Sequence, residues 1–207
     1  MYMVPNDSVI AMAALAYSPV MADFPLHTRA TAPFASKPIM EEANRTLGYV
    51  PNLVAQMAEA PALLEGYATL SAIFRKADFT ATERALILLA VSVEHDSHYC
   101  TPAHTVRARD TELDEASIAA VRARRPLADD RLEALRGFTV RMIQDRGFVA
   151  DADLDAFLAA GFTRANAMEI ILAVGLKTLS NYVNHIAETP LDPPLVADAF
   201  VAGRRAA

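Results

Sequence analysis

Hydrophobic residues recur every three to four positions along most of the chain, a spacing that predicts α-helices almost throughout. The clearest stretch follows Pro61, a residue suited to the first turn of a helix. Its apolar positions share one helical face: Leu63, Leu64, Tyr67, Leu70 and Phe74. No segment alternates apolar and polar residues with β-branched enrichment, so strands are not expected. The pattern therefore predicts an all-α protein.

The first predicted helix has recognisable signals at both ends. Ser36 is placed as its N-cap and Pro38 falls in its first turn. Gly48 follows the last apolar position and is typical of a helix stop. Pro51 then disfavours the helical conformation at the residue before it, so we expect a break in the chain at 48–53.

A helix over 80–95 is predicted to lie at the centre of the molecule. Thr80 and Glu83 have the spacing of a capping box. From Ala85 to Val91 the chain is apolar on every side, which indicates a fully buried helix. Two further long helices are predicted, one ending at Gly147 and one beginning after Thr163.

No low-complexity linker divides the chain, so we expect one all-α domain over 23–207, preceded by an N-terminal extension over 1–22. Several long apolar helices also suggest surplus apolar surface for self-association. The prediction is a helical bundle with a buried central helix that forms a homo-oligomer.

Charge and cysteine content narrow the choice of partners and compartment. The net charge of −6 gives no electrostatic case for binding nucleic acid or an anionic membrane. The longest apolar runs, 9–17 and 85–91, are too short to cross a bilayer. Cys100 is the only cysteine, which excludes an intramolecular disulfide and fits a reducing cytoplasm. We expect a cytoplasmic protein without a cofactor.

The segment EHDSHYCTPAH (94–104) holds that cysteine and three of the five histidines. If Ser97 caps a new helix, then Ser97, Cys100 and His104 fall on one face of it. If Thr101 is the cap and Pro102 the first helical residue, Cys100 lies just outside the helix. In both cases Cys100 adjoins a helix N-terminus, which favours thiolate over thiol.

Two other interpretations of this segment stay open. A single cysteine is most often a small, buried, unreactive side chain, and 94–96 could be a solvated turn between helices. A metal site is the second interpretation, because the segment also offers several donor side chains: Glu94, His95, His98, Cys100 and His104. Their spacing matches no established metal-binding signature, so we expect no bound metal.

The stretch ATERALILLAVSVEHDSHYCTPAH (81–104) resembles the core of the carboxymuconolactone decarboxylase family, which includes the alkylhydroperoxidase-like proteins. That core usually runs Glu-Arg-Glu, an apolar helix ending in Val-Ser, then Cys-x-x-Cys-x-x-x-His. The matching positions here are Glu83, Arg84, Val91, Ser92, Tyr99, Cys100 and His104. Flanking segments at 23–38, 47–53 and 176–192 are similar to the peroxidase-related branch. The resemblance covers roughly 23–195 and implies an all-α, homo-oligomeric protein.

By this resemblance, Cys100 corresponds to the second cysteine of the family's redox pair and His104 to the histidine of its proton relay. The first cysteine is replaced by Ser97, so a disulfide cycle within the motif cannot operate. The relay glutamate falls on Ala85. Glu94, where relatives in this branch carry glutamate, is the candidate to orient His104, although a surface carboxylate would look the same.

Three further residues are candidates for lining a pocket. A protonated His98 would stabilise the thiolate of Cys100, whereas a neutral one would be only a polar residue at the helix start. Tyr99 belongs to the matching motif. His185 reaches the same region if its helix packs against the core, but a lone histidine on an apolar helix is more often hydrogen-bonded in the interior. Asn181 and Asn184 carry the same ambiguity.

The leading hypothesis is an antioxidant enzyme in which Cys100 reduces a small organic hydroperoxide and an external thiol recycles it. His104 would hold the proton, Glu94 would orient His104, and Ser97 would hydrogen-bond the thiolate. One alternative is a decarboxylase or isomerase that acts on a lactone or keto acid, with His104 as the base. Another is a catalytically silent oligomeric binding protein.

Overall fold

The computed structural model describes residues 24–201, so the predicted extension over 1–22 lies outside the described residues. Within 24–201 the regular structure is helical and contains no strand, which confirms the all-α prediction. The α-helices are α1 (Lys37–Leu47), α2 (Asn52–Met57), α3 (Pro61–Phe74), α4 (Ala81–Glu94), α5 (Cys100–Arg109), α6 (Glu115–Arg122), α7 (Asp130–Gln144), α8 (Asp151–Ala159) and α9 (Arg164–Ala187).

The predicted ends of α1 are correct in position, but Ser36 does not cap the helix with its side chain. A short 3-10 turn, Phe34–Ser36, leads directly into α1 and leaves Ser36 in a helical conformation. Its hydroxyl donates instead to the carbonyl of Ala58, 2.8 Å away. Gly48 ends the helix as predicted, in the left-handed region at φ 80°.

Helix α4 lies at the centre of the molecule and packs against α5, α6, α7 and α9. Its predicted capping box is present: Thr80 Oγ1 accepts from Glu83 N at 3.2 Å, and Glu83 Oε2 accepts from Thr80 N at 2.8 Å. Thr163 and Asn166 form the equivalent box at the start of α9. Most of α4 is buried, although Ala85 and Leu88 are only partly covered.

The interior is divided into two apolar clusters. The larger one joins α4 to α3, α6, α7, α8 and α9. The smaller one is built from α1, α2, the first part of α3, the start of α5 and Leu195, and it contains Tyr99 and Cys100. The thiol therefore lies at the edge of the smaller cluster, where α5 begins beside the central helix.

Among residues 24–201, no single helix has the length and apolar character needed to cross a membrane. Helices α8 and α9, which meet at a bend of 113°, reach that threshold only when taken as a pair.

Candidate functional site

The turn between α4 and α5 delivers Cys100 to the interior. Asp96 adopts a left-handed conformation at φ 53°, which reverses the chain after α4. Ser97 Oγ then accepts from Cys100 N at 3.1 Å, and Ser97 O accepts from Thr101 N at 3.1 Å. Helix α5 begins at Cys100 directly after Tyr99, so Cys100 lies in its first turn, as in the first of the two sequence-based alternatives, and Ser97 Oγ pairs its N–H. Thr101 does not cap the helix, and its Oγ1 is buried without a hydrogen-bond partner among the described residues.

The Cys100 thiol is 2% exposed and faces polar groups of α9. Asn184 Nδ2 donates to Cys100 Sγ at 3.0 Å and lies 3.4 Å from Ser97 Oγ. Both Ser97 and Asn184 are fully buried. The Asn184 amide therefore contacts both Cys100 and Ser97, the residue at the position of the first cysteine in the motif that the sequence resembles.

A buried lysine completes the surroundings of the thiol. Lys177, on α9, is 1% exposed, and its Nζ lies 2.9 Å from His104 Nε2. Attraction to Cys100 opposes the lowering of the Lys177 pKa by burial. No salt bridge formed by the described residues includes Lys177, so no carboxylate among them balances its charge.

Burial sets the protonation of this group of side chains. It lowers the pKa of His104 well below its usual value, and the charges of Lys177 and Arg107 lower it further. His104 is therefore neutral at physiological pH, with Nε2 free to accept a proton from Lys177. Burial also lowers the pKa of Lys177, and the negative charge of Cys100 opposes that shift.

A cleft of about 850 Å³ opens on the outer side of the site, between the end of α4, α7 and α9. Glu94, His95 and His185 line it, whereas Cys100 and His104 do not. Asn181, buried on α9, donates through Nδ2 to His95 Nδ1 at 2.9 Å. Burial, with the charges of Lys177 and His185, lowers the pKa of His95 to about 4.

The structure does not bring Glu94 to His104. One Glu94 oxygen accepts from Gln144 Nε2 at 3.0 Å, and the other lies 3.5 Å from Arg124. The orienting role suggested for Glu94 therefore has no geometric support, and Lys177 is the charged group that contacts His104. His185 lies in the cleft and stacks on Tyr182 with 6.1 Å between ring centroids.

His98 and Tyr99 face the segment that follows α9 and not the thiol. His98 Nε2 lies 2.9 Å from the carbonyl oxygen of Thr189. Tyr99 donates to the carboxylate of Asp192, and burial together with that bond raises the pKa of the phenol. These contacts fix the start of α5 to the chain beyond α9.

The candidate metal ligands do not converge in the described part of the chain. Within residues 24–201, no group of three or more histidine, cysteine or acidic side chains is arranged to hold a metal ion. His95, His98 and His104 each hydrogen-bond a different partner.

Sequence reasoning missed Lys177. A signal was present, because Lys177, Asn181 and Asn184 follow one another at spacings of four and three residues. That spacing places three polar side chains on one face of a predominantly apolar helix. A polar stripe of this kind on a buried helix indicates a polar site facing the core.

Comparisons with known proteins agree with this architecture. Residues 58–134 match the model of the carboxymuconolactone decarboxylase family. No functionally curated protein matches the chain. Among solved structures, an uncharacterized peroxidase-related protein from Ralstonia eutropha JMP134, described as an alkylhydroperoxidase AhpD core, superposes with a TM-score of 0.75 at 23% identity, covering 89% of this chain and 97% of that one.

Two other solved structures share the fold. A peroxidase-related protein from Silicibacter sp. TM1040 superposes with a TM-score of 0.69 at 20% identity, covering 85% of this chain and 93% of that one. The debrominase Bmp8, solved in complex with 2,3,4-tribromopyrrole, gives a TM-score of 0.69 at 16% identity and covers 84% and 94% of the two chains.

The all-α bundle, whose central helix leads into a buried cysteine and histidine, has the fold of these solved structures. The match to the carboxymuconolactone decarboxylase model over residues 58–134 and the fold shared with peroxidase-related structures support the family resemblance seen in the sequence.

Proposed function

We propose that the protein is a one-cysteine peroxidase that reduces a small organic hydroperoxide. The observation that supports this most directly is the environment of Cys100 Sγ. The Asn184 amide donates to the sulfur at 3.0 Å, and the buried ammonium of Lys177, held 2.9 Å from His104 on the next turn of α5, attracts a negative charge on Cys100. A hydrogen-bond donor and a nearby buried cation stabilise a thiolate, which is the nucleophilic form of cysteine.

The reaction follows from these contacts. The Cys100 thiolate attacks the distal oxygen of the hydroperoxide, the O–O bond breaks, and the sulfur becomes a sulfenic acid. The departing alkoxide takes a proton from Lys177 and leaves as the alcohol. The neutral amine of Lys177 then donates a hydrogen bond to His104 Nε2, 2.9 Å away, which keeps it in place.

The burial of the thiol limits the substrate. Cys100 belongs to an apolar cluster with Leu53, Val54 and Leu64, so a compact, uncharged hydroperoxide suits this position better than a charged one. An external thiol must complete the cycle, since Cys100 is the only cysteine in the chain. We further propose that the working form is a homo-oligomer.

The direct test is hydroperoxide consumption with dithiothreitol as the reductant, measured for the wild type and for Cys100→Ser. We expect the variant to lose turnover while its circular dichroism spectrum and melting temperature stay close to the wild type. Thr139→Val is a matched control, because Thr139 is buried on α7 and its hydroxyl donates only to the backbone carbonyl of Leu135. Equal turnover in the wild type and Cys100→Ser would refute the proposal.

A second candidate is acid–base chemistry on a lactone or keto acid. The observation that favours it is the contact between neutral His104 and Lys177, a base and an acid 2.9 Å apart. In this case His104→Gln would abolish turnover and Cys100→Ser would change it little. Turnover that survives loss of the thiol but not loss of the imidazole would select this candidate over the peroxidase.

A further inference from the structure

The chain has three lysines, of which Lys37 and Lys76 are not buried and Lys177 is almost fully enclosed next to the only thiol. We propose that Lys177 acts as the resolving group in place of the cysteine that Ser97 replaces. After a hydroperoxide oxidises Cys100, the Lys177 amine condenses with the sulfenic acid to form a covalent S–N bond, a sulfenamide. This inference rests on the first step of the proposed function.

The surroundings hold the two reacting groups together. Cys100 is on α5 and Lys177 is on α9, and these helices pack against each other. His104 Nε2 holds the amine 2.9 Å away, one helical turn beyond the cysteine. With exposures of 2% for Cys100 and 1% for Lys177, a buried sulfenic acid meets the amine more readily than a second hydroperoxide or a bulky thiol.

Oxidation also changes which form of Lys177 is favoured. In the thiolate form that the proposed reaction uses, the negative charge of Cys100 opposes the lowering of the Lys177 pKa by burial. The sulfenic acid is neutral, so this compensation is lost and burial favours the uncharged, nucleophilic amine. Neutral His104 is positioned to accept the proton that the amine releases. The oxidation step therefore activates the group that captures its product.

The step is balanced without another oxidant. The amine nitrogen attacks the sulfenic sulfur, the S–O bond breaks, and hydroxide leaves as water with a proton delivered through His104. An external thiol then attacks Cys100 Sγ, the S–N bond breaks, and the amine regains a proton. A second thiol releases Cys100 and departs as a disulfide with the first.

The test is intact-mass spectrometry of the reduced protein after one equivalent of cumene hydroperoxide, followed by peptide mapping. We expect a product about 2 Da lighter than the reduced protein, with the peptides of Cys100 and Lys177 joined, and full reversal by dithiothreitol. Dimedone, which traps sulfenic acids, should label this product poorly.

Lys177→Met removes the amine and nearly preserves the side-chain volume, and Lys76→Met is the exposed control. Lys177→Met should lose the joined peptides and gain dimedone labelling, whereas Lys76→Met should behave as the wild type. The joined peptides are detected in the wild-type protein, so the test still applies if a variant folds poorly.

Each outcome separates this inference from the proposed function. Wild-type protein that gains about 16 or 32 Da at Cys100, with Lys177 unmodified, would overturn the inference and leave the peroxidase step in place. A protein about 14 Da heavier than the reduced form, with the two peptides joined, would retain an oxygen in the cross-link. That result would overturn the condensation. No change in mass would overturn both proposals.

Discussion

Lys177 is the residue whose charge most affects the candidate site. A buried ammonium without a carboxylate partner among the described residues is costly, and in the proposed reaction its charge stabilises the Cys100 thiolate. We predict that Lys177→Met slows alkylation of Cys100 by iodoacetamide at pH 7 by roughly tenfold, the effect of losing about 1.4 kcal/mol of thiolate stabilisation.

The same substitution should leave the free energy of unfolding close to that of the wild type, because Cys100 can take up a proton once the ammonium is gone, so that no unpaired charge stays buried. Urea denaturation measures this, and Lys76→Met provides the exposed control. Loss of alkylation together with a large loss of stability would instead indicate that Lys177 mainly holds the fold together.

The lowered pKa of His95 predicts how the free energy of unfolding responds to acid. Its pKa is about 4 in the folded protein, whereas a histidine in an unfolded chain titrates near 6.5. Between these values the unfolded chain binds more protons, so the free energy of unfolding should fall as the pH drops from about 7 to about 4. His104, whose pKa is also lowered by burial, acts in the same direction.

His95→Gln keeps an acceptor for the Asn181 amide but cannot be protonated, so it should flatten this decline. Urea denaturation at a series of pH values and constant ionic strength measures the slope for both proteins. A variant with the wild-type slope would show that other groups dominate the acid response.

At this scale, the sequence could predict the residues that lie close together along the chain. Cys100 and His104 fall on one face of α5 because helical geometry fixes their spacing, and Ser97, three residues before the helix start, pairs the Cys100 N–H. The contact between His104 and Lys177 spans 73 residues and depends on how α9 packs. Glu94 was assigned to His104 for its proximity in sequence, but the end of α4 directs it toward α7 and Arg124.

Among the helices, α4 has the N-terminal capping signal that is clearest in the sequence. The Thr80–Glu83 box satisfies backbone donors that would otherwise be unpaired at the start of a buried helix. We predict that Thr80→Ala lowers the free energy of unfolding by about 1 kcal/mol. Thr82→Ala, in the same turn but without a capping bond, should be close to neutral, and equal losses in the two variants would contradict the capping argument.

The geometry at the start of α5 leads to a second prediction about a helix. Asn184 Nδ2 lies 3.0 Å from Cys100 Sγ and 3.4 Å from Ser97 Oγ, so the two side chains converge on one nitrogen. Ser97→Cys should therefore place two thiols close enough to form a disulfide on oxidation.

Thiol titration and non-reducing peptide mapping after treatment with hydroperoxide measure this result. We expect the Ser97→Cys variant to form the 97–100 disulfide in preference to any product with Lys177, since a thiol is the stronger nucleophile toward a sulfenic acid. A variant that keeps two free thiols after oxidation would show that the turn holds these side chains apart.

For the whole molecule, the helical pattern predicts the elements but not their arrangement. Periodicity identified the central helix, because α4 is apolar on every side and can only be stable when surrounded. The division of the interior into two clusters was not predictable in the same way. It depends on the short helix α2, which follows Pro51 directly, and on Leu195, which joins the smaller cluster from a segment after α9 that packs on α5.

The outer face of α9 carries an exposed apolar stripe, formed by Met168, Ile171, Tyr182 and Ile186. These positions follow helical spacing on the side opposite Lys177, Asn181 and Asn184. Exposed apolar side chains that align along a helix are typical of an interface, whereas scattered ones are not. We therefore expect the homo-oligomer to assemble through this face of α9.

Size-exclusion chromatography with light scattering tests this assembly. Ile171→Glu combined with Ile186→Glu should reduce the mass to that of a single chain, because two carboxylates would be buried without partners at the interface. Phe148→Glu is the matched control, since Phe148 is 88% exposed and lies off α9. A double variant that keeps the wild-type mass would assign the interface to another surface. A wild type that is monomeric across the concentration range would refute self-association, and the stripe on α9 would then have no role in assembly.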